Sequence, residues 1–288
     1  SATDRQLPIY CVQRDQKMLA ISFDAAWGNE DTQQLINILG KYNVKATFFV
    51  VGDWVDKYPE SVKALHDAGH EVMNHSNSHA HMSQLSSEAI VADVEACNDK
   101  IEAVTGVRPT LIRPPYGEYD NNVITSIRSI GMEPIQWDVD SLDWKDLPAG
   151  EDHGAVVSRV QPGSIVLFHN AALHTPEALP AILETLLQEG YTFVPISELI
   201  LPGEYNVDYT IDHTGRQLPA QHRHPPDKSA ARTFTCAAPA EPDAADELLI
   251  APRAMMSSYS SAPGFPAECM ARFQAKIDRR ERAALLYC

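Results

Sequence analysis

Met18-Leu19-Ala20-Ile21-Ser22-Phe23, closed by Asp24, reads as a buried strand with a carboxylate at its carboxyl end. The same form recurs down the chain. Ala46–Val51, His70–Met73, Thr110–Ile112, Met132–Trp137, Ser164–Phe168 and Tyr191–Val194 are short apolar runs rich in β-branched and aromatic residues. Helix-length segments separate them. Thr32 to Tyr42 sets Leu35, Ile36 and Leu39 on one face, and Ser61 to Ala68 carries Val62 and Leu65. Ser87 to Val104 spaces Ile90, Val94, Cys97 and Ile101 by three and four, and further helical segments fall near 121–130, 153–160 and 176–189. Strand–helix alternation of this kind predicts a parallel sheet with helices outside it. Seven units in about 185 residues are too few for an eight-unit barrel, which takes about 250 residues. The expected fold is α/β, a deformed (β/α)7 barrel, with an open doubly wound sheet as the alternative.

The 288 residues are 44% hydrophobic and carry a net charge of −16. Residues 1–203 hold 28 acidic and 13 basic residues, and 204–288 hold 11 and 10. The body is therefore strongly acidic and the remainder nearly neutral. Phosphate binding runs on clustered Lys and Arg, so nucleic acid is an unsuitable partner. No apolar run reaches the roughly 18 residues of a bilayer span. Past residue 203 the apolar period is lost, and 8 of the 20 prolines fall there. The expected division is a barrel over 1–203 and a Pro/Ala-rich tail of low order over 204–288, with one amphipathic helix near 267–286. The five cysteines show no metal-ligand spacing, and Cys97 reads as a buried thiol. The N-terminus shows no signal peptide, which suits a cytosolic protein or a mature form equally.

In a parallel barrel, chemistry collects at the carboxyl ends of the strands. The polar residues gather there. Asp24 ends the first strand, His75 and His79 follow the third, and Arg113 ends the fourth, before Pro114-Pro115-Tyr116-Gly117. Asp138, Asp140 and Asp143 follow the fifth, and His169 ends the sixth. His75 and His79, four residues apart, can meet one divalent ion, although two solvated loop histidines give the same pattern. Asp24 reads as a base, a metal ligand or a capping carboxylate. Arg113 reads as its bidentate partner or as a surface charge. His169 reads as a general acid tuned by a carboxylate of the 138–143 loop, or as a core histidine.

Five ordered segments resemble the polysaccharide deacetylases of carbohydrate esterase family four, with a likeness to the sporulation-type branch. They are Ser22-Phe23-Asp24-Ala25-Ala26-Trp27-Gly28, His75–His79, Arg113–Gly117, Asp140-Ser141-Leu142-Asp143-Trp144 and Leu167-Phe168-His169. The resemblance spans about 8–201. It implies a metal-dependent N-deacetylase acting on an N-acetylated glycan such as peptidoglycan or chitin, outside the cytoplasm. It implies Asp24 as base, Arg113 orienting it, and His169 as acid polarised by Asp143. Trp27, Tyr116 and Trp144 would line the substrate, with the Tyr116 N–H on the oxyanion. His75 and His79 would hold zinc, or cobalt or manganese. The family's third ligand falls at Ala25, which has no donor atom. Three alternatives follow: a displaced side chain (Asn29, Glu30 or Asp31) in the gap, a more weakly held ion with water or Asp24 filling it, or glycan binding without catalysis. A hydrolase of small cyclic amides on the same barrel is a further alternative.

Overall fold

The computed structural model describes residues 5–220. Its strands and helices follow the chain as β1 (Cys11–Val12), β2 (Met18–Ala25), α1 (Thr32–Lys41), β3 (Thr47–Val50), α2 (Gly52–Lys57), α3 (Pro59–Asp67) and β4 (Glu71–Asn74). Then come α4 (Ser87–Thr105), β5 (Leu111–Ile112), α5 (Asn121–Ser129), β6 (Glu133–Pro134), β7 (Val139–Asp140), α6 (Ala149–Val157) and β8 (Ile165–His169). The last are α7 (Thr175–Gln188), β9 (Thr192–Phe193), α8 (Ile196–Leu199), β10 (Tyr209–Ile211) and β11 (Arg216–Pro219).

Seven parallel strands run in the order β6-β5-β4-β3-β2-β8-β7, and β9 pairs the start of β2. This curled sheet is the expected deformed barrel, open between β6 and β7. β2 lies at its middle because both its faces are apolar, as a strand covered on both sides requires. Ile21 and Phe23 join the layer under the helices, where Phe23 stacks on Phe48 at 4.8 Å and Phe168 at 5.4 Å. Ala20 packs on the other face, with Phe49, Met73, Leu111 and Ile165. The face of α4 predicted by its spacing is buried, and Ser86 caps the helix by accepting from the Ala89 N–H at 3.2 Å. Cys97 is a buried free thiol.

Two features depart from the sequence reading. The run Met132–Trp137 is not one strand. Glu133–Pro134 pairs with β5 at one edge of the sheet, and Val139–Asp140 pairs with β8 at the other. Pro134 has no N–H to extend a ladder, and the Gln136 N–H donates instead to the Ile9 carbonyl at 2.7 Å. The chain thereby crosses the open side of the barrel. The second departure is at residue 203. β10 and β11 form a hairpin that pairs with β1, so the folded unit runs on to Pro219. The helix expected near 267–286 lies outside the described residues. Among the described residues no helix is long and apolar enough to cross a membrane.

Candidate active site

The sheet register brings the rim together. Asp24 lies opposite Phe49 on β3 and His169 on β8, and Asn74, just before His75, lies opposite Ile112, just before Arg113. The strands therefore end level, and the residues that follow them converge.

Asp24 is 5% exposed. Its Oδ1 accepts from Arg113 Nη1 at 2.9 Å, and the same nitrogen donates to Ser22 Oγ at 2.9 Å. Arg113 is fully buried, and its Nη2 donates to the Gln136 carbonyl at 2.8 Å. Burial alone would raise the Asp24 pKa, but the Arg113 guanidinium, with the His169 imidazolium beyond it, outweighs that and holds the carboxyl below its ordinary value. Asp24 is thus an oriented, ionised carboxylate.

His75 Nδ1 donates to the Arg113 carbonyl at 2.6 Å, because a carbonyl can only accept. That fixes the tautomer and leaves the Nε2 lone pair 3.6 Å from Asp24 Oδ2. Burial lowers the His75 pKa, and burial with His75 alongside pushes His79 down to about 3. Both imidazoles are neutral near pH 7, with ring centroids 5.0 Å apart. His79 and Tyr116 each adopt a left-handed backbone, φ 57° and 63°, and their rings meet edge to face at 4.5 Å. Such conformations cost about 1–3 kcal/mol in bulky residues and gather at functional sites.

On the other side of the rim, Asp143 is 1% exposed and accepts three hydrogen bonds. His169 Nδ1 donates to its Oδ1 at 2.8 Å, while the His169 backbone N–H (2.7 Å) and Thr175 Oγ1 (2.8 Å) donate to Oδ2. Burial opposes a charged imidazole, but Asp143, Asp24 and Asp140 overcome it and lift His169 to about 9. His169 is therefore an imidazolium at neutral pH, able to donate from Nε2. Trp27 stands between the two halves, 6.1 Å from His79 and 6.0 Å from His169 between ring centroids. Trp144 occupies the turn after β7, hydrogen-bonded to Asp140. The structure thus groups Asp24, Arg113, His75, His79, Tyr116, Trp27, Asp143 and His169, with Trp144 on the adjoining loop.

The donors present do not build a three-ligand divalent metal centre. Ala25 is 1% exposed, and its methyl, which has no donor atom, packs among apolar neighbours at the end of β2. The side chains proposed to replace it are engaged elsewhere or exposed. Asn29 Nδ2 donates to Ser61 Oγ at 2.9 Å, and buried Asp31 accepts from the Ala171 N–H at 2.8 Å. Glu30 is exposed, with its carboxylate against Gly28. Among the described residues, no three His, Cys, Asp or Glu side chains come together as a metal site. Two imidazoles are one short of the three protein ligands that catalytic zinc keeps.

Thr175 carries no motif signal, and Ser22 opens a matched segment without a role assigned to it. Ser22 and Thr175 support Asp24's partner and Asp143, respectively, through single hydroxyls. Ser22 could have been suspected, since it stands two residues before Asp24 and so faces the same way on β2. Thr175 follows no periodic cue.

Known proteins resemble this chain. The polysaccharide deacetylase family matches over residues 12–135. The chain is 34% identical over 193 residues to the uncharacterized protein YlxY of Bacillus subtilis, covering 67% of this chain and 60% of that one. It is 35% identical over 188 residues to the peptidoglycan-N-acetylmuramic acid deacetylase PdaC of the same species, covering 65% of this chain and 40% of PdaC. Among solved structures, wild-type BA3943 of Bacillus anthracis, described as a CE4 family pseudoenzyme, matches with a TM-score of 0.65 and 36% identity over 67% of this chain and 68% of that one. A BA3943 mutant with restored enzymatic activity matches with the same TM-score and 38% identity over 67% of this chain and 70% of that one. The family match, together with a shared fold at 36% and 38% identity, places this chain in the polysaccharide deacetylase family.

Proposed function

We propose that the rim binds an N-acetylated glycan of the peptidoglycan or chitin class, outside the cytoplasm, and that its hydrolytic chemistry stands one metal ligand short. The observation that carries this reading is Ala25, a buried methyl at the position to which the family resemblance assigns a metal-binding aspartate. The acid and base are nonetheless in place. With the acetamide between Asp24 and His169, Asp24 takes a proton from a water whose oxygen adds to the acetyl carbon. The Tyr116 N–H holds the oxyanion. The C–N bond then breaks as His169 gives its Nε2 proton to the amine, and acetate leaves. Without a three-ligand cation, nothing polarises the carbonyl strongly, so binding outlives turnover. PdaC, similar over 65% of this chain, and the BA3943 pseudoenzyme bracket that position.

Calorimetry of this chain with chitooligosaccharides and with acetylated peptidoglycan fragments, with and without chelator, tests the reading. The expected result is binding that survives chelator, with acetate release close to background. Absence of binding to both glycans contradicts it, as does rapid acetate release by the untreated protein.

A further inference from the structure

Asn170, the residue after His169, is 2% exposed and makes an unusual set of contacts. Its backbone N–H donates to the Asp24 carbonyl at 3.0 Å, which ties the end of β8 to β2. Its side chain then reaches the loop that follows β2. Asn170 Oδ1 accepts from the Ala26 N–H at 3.3 Å, and Nδ2 donates to the Gly28 carbonyl at 2.5 Å. Those two backbone groups flank Trp27 on either side in the chain. A second anchor lies one residue on, where the Ala171 N–H donates to Asp31 Oδ2 at 2.8 Å. The loop carrying Trp27 is therefore held from the acid side of the rim, although Trp27 itself follows the strand that carries the base.

We infer that Asn170 is the positioning residue that sets Trp27 between His79 and His169, and through it the grip of the rim on an N-acetylated sugar. An asparagine suits this place because one side chain must both accept and donate. Aspartate of the same size keeps the acceptor and loses the donor, and alanine loses both. The loop holds an aromatic face beside two imidazoles, and the Asn170 side chain ties it on both sides of Trp27. The inference rests on the glycan-binding reading for its consequence, but not for the geometry of Trp27.

The test uses the full chain labelled with 15N in its four tryptophans. Trp27→Phe assigns the Trp27 indole signal. In Asn170→Ala and Asn170→Asp the Trp27 signal moves. The Trp54 signal moves with it, because the Trp54 Nε1–H also donates to the Gly28 carbonyl, at 3.3 Å. Trp137 and Trp144 stay in place. In Asn170→Ala, affinity for a chitooligosaccharide falls about tenfold, the ratio expected when two backbone hydrogen bonds that hold the contact residue are lost, and in Asn170→Asp, which loses one, it falls by less. Trp27→Ala loses at least as much, and adding Asn170→Asp to it costs nothing further. An unmoved Trp27 signal, a shift of all four signals, or additive losses would overturn the inference. If the wild-type chain binds no glycan, the glycan reading fails alone, and the indole signals still decide the role of Asn170.

Discussion

Replacing Asp143 with asparagine keeps the shape of the acid half and removes its charge. In the wild-type chain His169 is lifted from 6.5 to about 9, against a burial that by itself would lower it. At 1.36 kcal/mol per pH unit, that preference for the imidazolium amounts to about 3 kcal/mol. Asp143 is the largest favourable contributor, so Asp143→Asn should drop His169 to 6.5 or below. Because the folded pKa is raised, the folded state holds an extra proton between about pH 6.5 and 9. This contribution to stability is complete below 6.5 and is lost as pH rises through 9, with a slope approaching 1.36 kcal/mol per unit inside that window. Imidazole NMR titration follows the His169 ring, and urea unfolding at about pH 6, 7.5 and 9.5 follows the linkage. In Asp143→Asn the ring should titrate more than two units lower, and the His169 share of the alkaline loss of stability should vanish. A His169 that still titrates near 9 in the variant refutes the assignment of Asp143 as its partner.

Other consequences follow from the same contacts. Arg113→Met leaves Asp24 charged and buried without its partner, and removing one member of a buried pair costs about 3–5 kcal/mol. Urea unfolding near pH 7 should show a loss of that size, and a loss under 1 kcal/mol would mean that the pair is not held as described. Gly163 has φ 85°, and a Cβ there would stand 1.7 Å from the Val12 carbonyl oxygen. Gly163→Ala should therefore cost about 1–3 kcal/mol for the backbone alone and displace β1, read by unfolding and by amide exchange at Val12. Unchanged exchange would count against the close approach.

The fold and the rim were legible for a common reason. Apolar runs announce strands, and a polar residue that ends each run falls on one edge of a parallel sheet. Asp24, Arg113 and His169 could be read in that way, and their pairing follows from register. The split of Met132–Trp137 could not, because it depends on where the Gln136 N–H goes, and that acceptor lies far away at Ile9. The hairpin Tyr209–Pro219 was hidden for a similar reason. Its strands are short, and they pair with a two-residue strand near the N-terminus. Asn170 left no trace at all, since it works through two backbone atoms about 140 positions away. Ala25 was legible as a departure, and the structure adds the contacts that Asn29, Glu30 and Asp31 make instead.

The proposed glycan site, with acid and base in place and one metal ligand missing, is decided by zinc content and acetate release in wild type beside Ala25→Asp. Both are measured on the same N-acetylated glycan. The wild-type chain should retain little zinc after dialysis and release acetate near background. Ala25→Asp should retain one ion per chain, gain stability on adding zinc (about 2.7 kcal/mol at one hundred times its dissociation constant), and release acetate well above wild type. Tight zinc in both proteins with equal acetate release would contradict it.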